Sequence, residues 1–156
     1  MWPWNNPNLL SSMGSMGKPG ASLRVWRDYF PNAIIYGADI DKDILFAEER
    51  IKTFYIDQLD PVVIKECWSS INKRYFDFIV DDGLQTFDAG FTLFVQSIDR
   101  LSIDGVYIIE DVAINDLIKY KKFFRNSEYE VDYVLMNRLG LPLSDNSLVV
   151  IRKRSI

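Results

Sequence analysis

Two apolar runs, each stopped short by carboxylates, constrain this chain more than any other feature. Residues 76–80 read Phe-Asp-Phe-Ile-Val and run into Asp81-Asp82-Gly83, and residues 106–109 read Val-Tyr-Ile-Ile and run into Glu110-Asp111. The segment between them, residues 87–101, has the length and apolar spacing of a helix. A right-handed β-α-β crossover would therefore make the two runs neighbouring parallel strands. Their acidic ends then meet at one edge. Ligands of open α/β sheets bind outside the carboxyl ends of strands, so Asp82, Glu110 and Asp111 form a candidate site on topology alone.

The rest of the chain repeats the alternation. Residues 1–20, rich in Pro, Gly and Ser, read as an N-terminal loop, and 21–156 as a single domain. Ser22 suits the cap of a helix over residues 22–30. A strand over 33–38 ends in Asp39-Ile40-Asp41, and a helix is predicted over 42–50. A strand over 53–56 ends at Asp57-Gln58, and Pro61 suits the first turn of a helix reaching residue 72. A last helix over 115–125 leads to strands 129–136 and 147–153, joined by a long turn with Gly140, Pro142 and Asp145-Asn146. The fold class is therefore α/β, a mostly parallel sheet with helices on both faces and an antiparallel C-terminal strand pair.

Composition narrows the function. With 156 residues, 48% apolar and 26% charged, the chain can bury a real core. A net charge of -4 and the lack of a basic stripe argue against nucleic acid as partner. No run has the length of a membrane span, and the start lacks the pattern of a signal peptide, so a cytoplasmic protein is expected. The single cysteine, Cys67, excludes a disulfide framework and reads as a core residue. Histidine is absent altogether. That removes the commonest general base and every imidazole metal site, so a bound metal would be a hard, oxygen-seeking ion.

Five blocks in order then bring a family into view. They are residues 20–33 (Gly-Ala-Ser-Leu-Arg-Val-Trp-Arg-Asp-Tyr-Phe-Pro-Asn-Ala), Ile35-Tyr36-Gly37-Ala38-Asp39-Ile40-Asp41, Arg50-Ile51-Lys52-Thr53-Phe54 with Asp57-Gln58, Asp81-Asp82-Gly83, and Ile109-Glu110-Asp111. Together they resemble the class I S-adenosylmethionine (SAM)-dependent methyltransferases, and more narrowly the metal-dependent sugar O-methyltransferases of the macrocin and mycinamicin type. The resemblance implies a Rossmann-like fold, SAM and Mg²⁺ (or Mn²⁺) as cofactors, and a small-molecule sugar or glycoside acceptor. It implies cofactor-binding roles for Ser22, Asp39, Asp41, Asp57, Gln58 and Asp81, with Asp39 on the ribose hydroxyls and Asp57-Gln58 at the adenine edge. Asp82, Glu110 and Asp111 would ligate the metal, and Asp82, Gln85 and Asp111 would line the catalytic centre.

The chain departs from the family pattern twice. Gln85 stands where relatives place a histidine, the expected general base, and an amide takes no proton at neutral pH. Ahead of Asn5-Asn6 the chain has only Met1-Trp2-Pro3-Trp4, where relatives have a strand ending in a glycine-rich loop. Without that first strand, the strands ending at Asp39 and Asp82 must pair directly, borrow a strand from a partner, or belong to a longer parent. Exposed strand edges favour self-association, so a homo-oligomer is expected. A fold kept for binding or assembly without chemistry is the alternative class.

Overall fold

A computed structural model describes residues 18–135 and 146–154; the residues 1–17 of the predicted N-terminal loop, Met136 of a predicted strand, and Gly140, Pro142 and Asp145 of the predicted turn lie outside them. The chain divides into two compact units, one ending at Asp57 and one beginning at Gln58.

In the first unit, α1 (Ala21–Tyr29) leads to β1 (Ile35–Asp39), a single 3₁₀ turn (Lys42–Ile44), β2 (Ala47–Glu48) and β3 (Ile51–Tyr55). The cap of α1 is Gly20, at φ 72°, with no side-chain hydrogen bond. A Cβ there would lie 2.3 Å from the Phe46 ring, so the position suits glycine twice over. Ser22 is thus an exposed residue inside the helix rather than its cap. β1 pairs in parallel with β3, from Ile35 opposite Ile51 to Asp39 opposite Tyr55.

The helix expected over 42–50 does not form. Asp41 accepts from Asp43 N (3.0 Å) and caps one 3₁₀ turn, after which the chain is extended and β2 joins β3 antiparallel. The cause is nonlocal. Thr53 Oγ1 accepts from Phe46 N (2.5 Å) and donates to Phe46 O (2.6 Å), holding the backbone against β3. Glu48 is gripped from α1 by Arg24 (2.6 Å) and Arg27 (3.2 Å). Arg50, at φ 60°, donates to the carbonyls of Arg27, Phe30 and Ala33 and closes the turn between α1 and β1. The local helix propensity of nine residues is weaker than this set of tertiary bonds.

The second unit contains α2 (Pro61–Ser70), β4 (Phe76–Asp81), α3 (Phe87–Ser97), a 3₁₀ turn, β5 (Leu101–Val112), α4 (Ile114–Phe124), β6 (Tyr129–Leu135) and β7 (Ser147–Lys153). Asp60 caps α2 through Val62 N and Val63 N, with Pro61 at its first position as expected. Thr86 caps α3 through Ala89 N. The sheet order is β4-β5-β7-β6, with β4 and β5 parallel, Ile79 opposite Tyr107 and Asp81 opposite Ile109. The predicted β-α-β unit and antiparallel C-terminal pair are both present.

One face of this sheet forms the core. Tyr107, Val149 and Ile151 are fully buried, packed with Phe94, Tyr120 and Phe124 from α3 and α4. Phe94 meets Tyr107 and Phe124 edge-on at 5.3 and 5.1 Å. Each fully buried aliphatic side chain contributes roughly 1.5–3 kcal/mol, enough to set the pleat of β5 and β7 by their inward residues.

Among the described residues, β1 pairs only with β3 on one sheet and β4 only with β5 on the other.

Candidate active site

The carboxyl end of β4 turns inward before it turns out. Asp81 is 5% exposed, and its Oδ1 accepts from Gln58 Nε2 (2.5 Å) and from Gly83 N (3.2 Å). Burial pushes its carboxyl up to about 6, although both hydrogen bonds favour the charged form. Asp82, next along the pleat, is half-buried. The chain then folds back so that Leu84 N donates to Gln58 Oε1 (2.7 Å), and Gln85 follows at φ 57°.

β5 does not stop at Ile109, as the apolar run predicts, but continues to Val112 through a bulge. Ile109 lies opposite Val149 and Val112 opposite Ser147, so three steps on β5 are matched by two on β7. The extra residue falls at Glu110-Asp111, and Asp111 sits at φ 49°. A bulge breaks the in-out alternation and re-aims side chains, which is how two consecutive carboxylates reach the same end of the sheet. Gln85 Nε2 donates to Asp111 Oδ2 (3.2 Å), so two left-handed non-glycine residues, one in the β4–α3 loop and one on β5, are joined by their side chains. Such backbone conformations concentrate at functional sites.

Glu110 is half-buried, and its carboxyl is raised first by burial and then by the charges of Asp82 and Asp111. The charges of Asp82 and Asp111 thus both act on Glu110. Carboxylate oxygens are the donor type that a hard cation takes. Among the described residues, however, no three His, Cys, Asp or Glu side chains converge to close around an ion.

A cleft beside these groups is lined by Asp81, Gln85, Phe87, Glu110, Asp116 and Tyr120. Asp116 and Tyr120 were not legible as site residues. Asp116 accepts from Phe87 N (3.2 Å) and pairs with Lys119 (2.7 Å), which fastens α4 to the start of α3. The only local signal was an acid in the first turn of a predicted helix. Tyr120 carries no signal, because it occupies an ordinary core position of α4; burial, then Asp81, raises its hydroxyl.

In the first unit, Asp39 ends β1 and accepts from Asp41 N (2.9 Å), while Asp41 caps the 3₁₀ turn. Asp57 is half-buried after β3, and Ser22 is exposed on α1. Gln58 belongs with the second unit and is 8% exposed.

The fold is like that of solved methyltransferase structures. Solved structures with the same fold include the MycE methyltransferase of the mycinamycin pathway in complex with Mg and SAH (TM-score 0.60, 24% identity, 86% of this chain and 41% of that chain). Human methyltransferase-like protein 13 in complex with SAH also shares it (TM-score 0.59, 16% identity, 88% and 69%). Over part of its length, the chain is similar to curated sugar O-methyltransferases. It is 33% identical over 93 residues to the 8-demethyl-8-alpha-L-rhamnosyl tetracenomycin-C 2'-O-methyltransferase of Streptomyces olivaceus, covering 60% of this chain and 24% of that protein. It is 36% identical over 95 residues to demethylmacrocin O-methyltransferase of Streptomyces fradiae (60% and 23%). To mycinamicin VI 2''-O-methyltransferase of Micromonospora griseorubida it is 37% identical over 95 residues (60% and 23%). The matched region spans about a quarter of the length of these relatives. No family model matches. Among the described residues, no helix is long and apolar enough to cross a membrane.

Proposed function

We propose that this chain serves SAM-dependent O-methylation of a sugar hydroxyl on a small glycoside, assisted by Mg²⁺ or Mn²⁺. The observation that carries the reading is the parallel pairing of β4 with β5, Asp81 opposite Ile109, which puts Asp82 and Glu110-Asp111 at the same end of two adjacent strands. It is supported by relatives that are sugar O-methyltransferases and by a MycE structure holding Mg, SAH and mycinamycin VI.

In this reading Asp82, Glu110 and Asp111 hold the metal. A divalent cation held there would supply Lewis-acid activation of a sugar hydroxyl. Gln85, an amide, cannot take the proton itself; it orients Asp111 through its 3.2 Å bond, and the Asp111 carboxylate accepts the proton. Asp39 receives the cofactor ribose, Asp57 the adenine edge, Ser22 and Asp41 support the same ligand, and Asp81 holds the turn that carries Asp82.

The second reading, a methyltransferase fold kept for binding or assembly, is favoured by Gln85 in the place of a base and by the absence of a closed carboxylate cluster among the described residues. Calorimetric titration with SAM and SAH, with and without Mg²⁺, separates the two. Binding that weakens in Asp39→Ala, together with Mg²⁺-dependent thermal stabilisation lost in the Asp82→Asn, Asp111→Asn double variant, supports the enzyme. Cofactor binding without methyl transfer to a panel of glycosides supports the module.

A further inference from the structure

The acidic turn after β4 is held from a distance. Gln58 precedes α2, lies 23 residues before Asp81 and 26 before Leu84, and bonds to both: Nε2 donates to Asp81 Oδ1 (2.5 Å) and Oε1 accepts from Leu84 N (2.7 Å). Gly83, one of the two residues between them, is pressed against the same amide. A Cβ on Gly83 would lie 2.0 Å from Gln58 Oε1, 2.5 Å from Cδ and 2.8 Å from Nε2. Gly83 is not at positive φ, so space rather than backbone conformation calls for glycine there. Gln58 is 8% exposed, and both ends of its amide are engaged inside the protein.

We propose that Gln58 is a positioning residue, a buried clasp that ties Asp81 to the backbone of Leu84, fixing the turn that carries Asp82 and presenting Gln85 at the cleft. The inference rests on the proposed function for what the turn presents, and on geometry alone for the clasp. It gives Gln58 a different task from reading an adenine edge, which would draw its amide away from Asp81 and Leu84.

Gln58→Leu keeps most of the volume and removes both bonds. Amide hydrogen exchange at Leu84 should then accelerate roughly ten- to a hundredfold, the range that follows from losing one buried hydrogen bond. Gly83→Ala should produce the same acceleration by displacing the amide. In a Gln58→Ala background, where the space is vacated, Gly83→Ala should be tolerated, so the two substitutions couple instead of adding. Unchanged Leu84 exchange in Gln58→Leu, or strictly additive effects of the pair, overturns the clasp. The clasp also requires Gln58→Leu to leave SAH affinity within about threefold while kcat falls and KM for SAM holds. A loss of SAH affinity with unchanged Leu84 exchange would make Gln58 a cofactor reader and overturn the proposal. If the unaltered chain neither binds SAH nor transfers methyl groups, the functional reading fails, and the exchange and double-variant results decide the clasp by themselves.

Discussion

Asp81→Asn should stabilise this protein at neutral pH, because the folded state holds a carboxylate where water cannot reach it. The side chain is 5% exposed and burial raises its carboxyl from an ordinary 3.8 to about 6. Below about pH 4 the group is neutral in both the folded and unfolded chain and contributes nothing. Between about pH 4 and 6 the folded chain binds the proton that the unfolded chain has released, so stability falls as pH rises through this window. Above it the loss is complete, about 3 kcal/mol for a displacement of this size. Asparagine keeps the oxygen that accepts from Gln58 Nε2 and Gly83 N while removing the buried charge. Urea unfolding of both proteins from pH 4 to 8 gives the test. The variant should match the unaltered chain within about 0.5 kcal/mol at pH 4 and exceed it by about 1–3 kcal/mol at pH 8. Glu110, raised by burial and by Asp82 and Asp111, tilts both curves alike and cancels in the difference. A flat difference curve, or a variant weaker by 1 kcal/mol or more at pH 8, would refute the reasoning.

Tyr107 is fully buried and its hydroxyl has no hydrogen-bond partner among the described residues, so Tyr107→Phe should raise stability by about 1 kcal/mol while keeping the edge-on contact with Phe94; thermal unfolding should shift upward by roughly 2–4 °C. Asp111, at φ 49°, should tolerate glycine, whereas Asp111→Val should cost about 1–2 kcal/mol more than Asp111→Gly, a contrast that urea unfolding resolves. If the unaltered chain transfers methyl groups, Gln85→His should raise the rate within roughly the 10²- to 10⁴-fold span of a general base, read in a radiolabelled methyl-transfer assay; no gain despite confirmed cofactor binding would place the limitation elsewhere.

Much of the second unit was legible because its causes are local. Apolar runs at 76–80 and 106–109, a helix-length spacer and terminal carboxylates suffice to specify neighbouring parallel strands with acids at one end, and those strands pair as expected. Pro61 likewise announces α2 through chemistry confined to one turn. Other features depend on partners far along the chain. Residues 42–50 have an apolar pattern compatible with a helix, yet Thr53, Arg24 and Arg27 make part of them a strand. The bulge at Glu110-Asp111 exists only in the register between β5 and β7, and the bonds from Gln58 to Asp81 and from Gln85 to Asp111 join residues 23 and 26 apart. Sequence determined which residue types stand at the ends of the strands, since propensity and alternation act within a few residues. Tertiary structure decided which way those side chains turn and which of them meet, because packing and hydrogen bonds between distant segments outweigh the small local preferences they oppose.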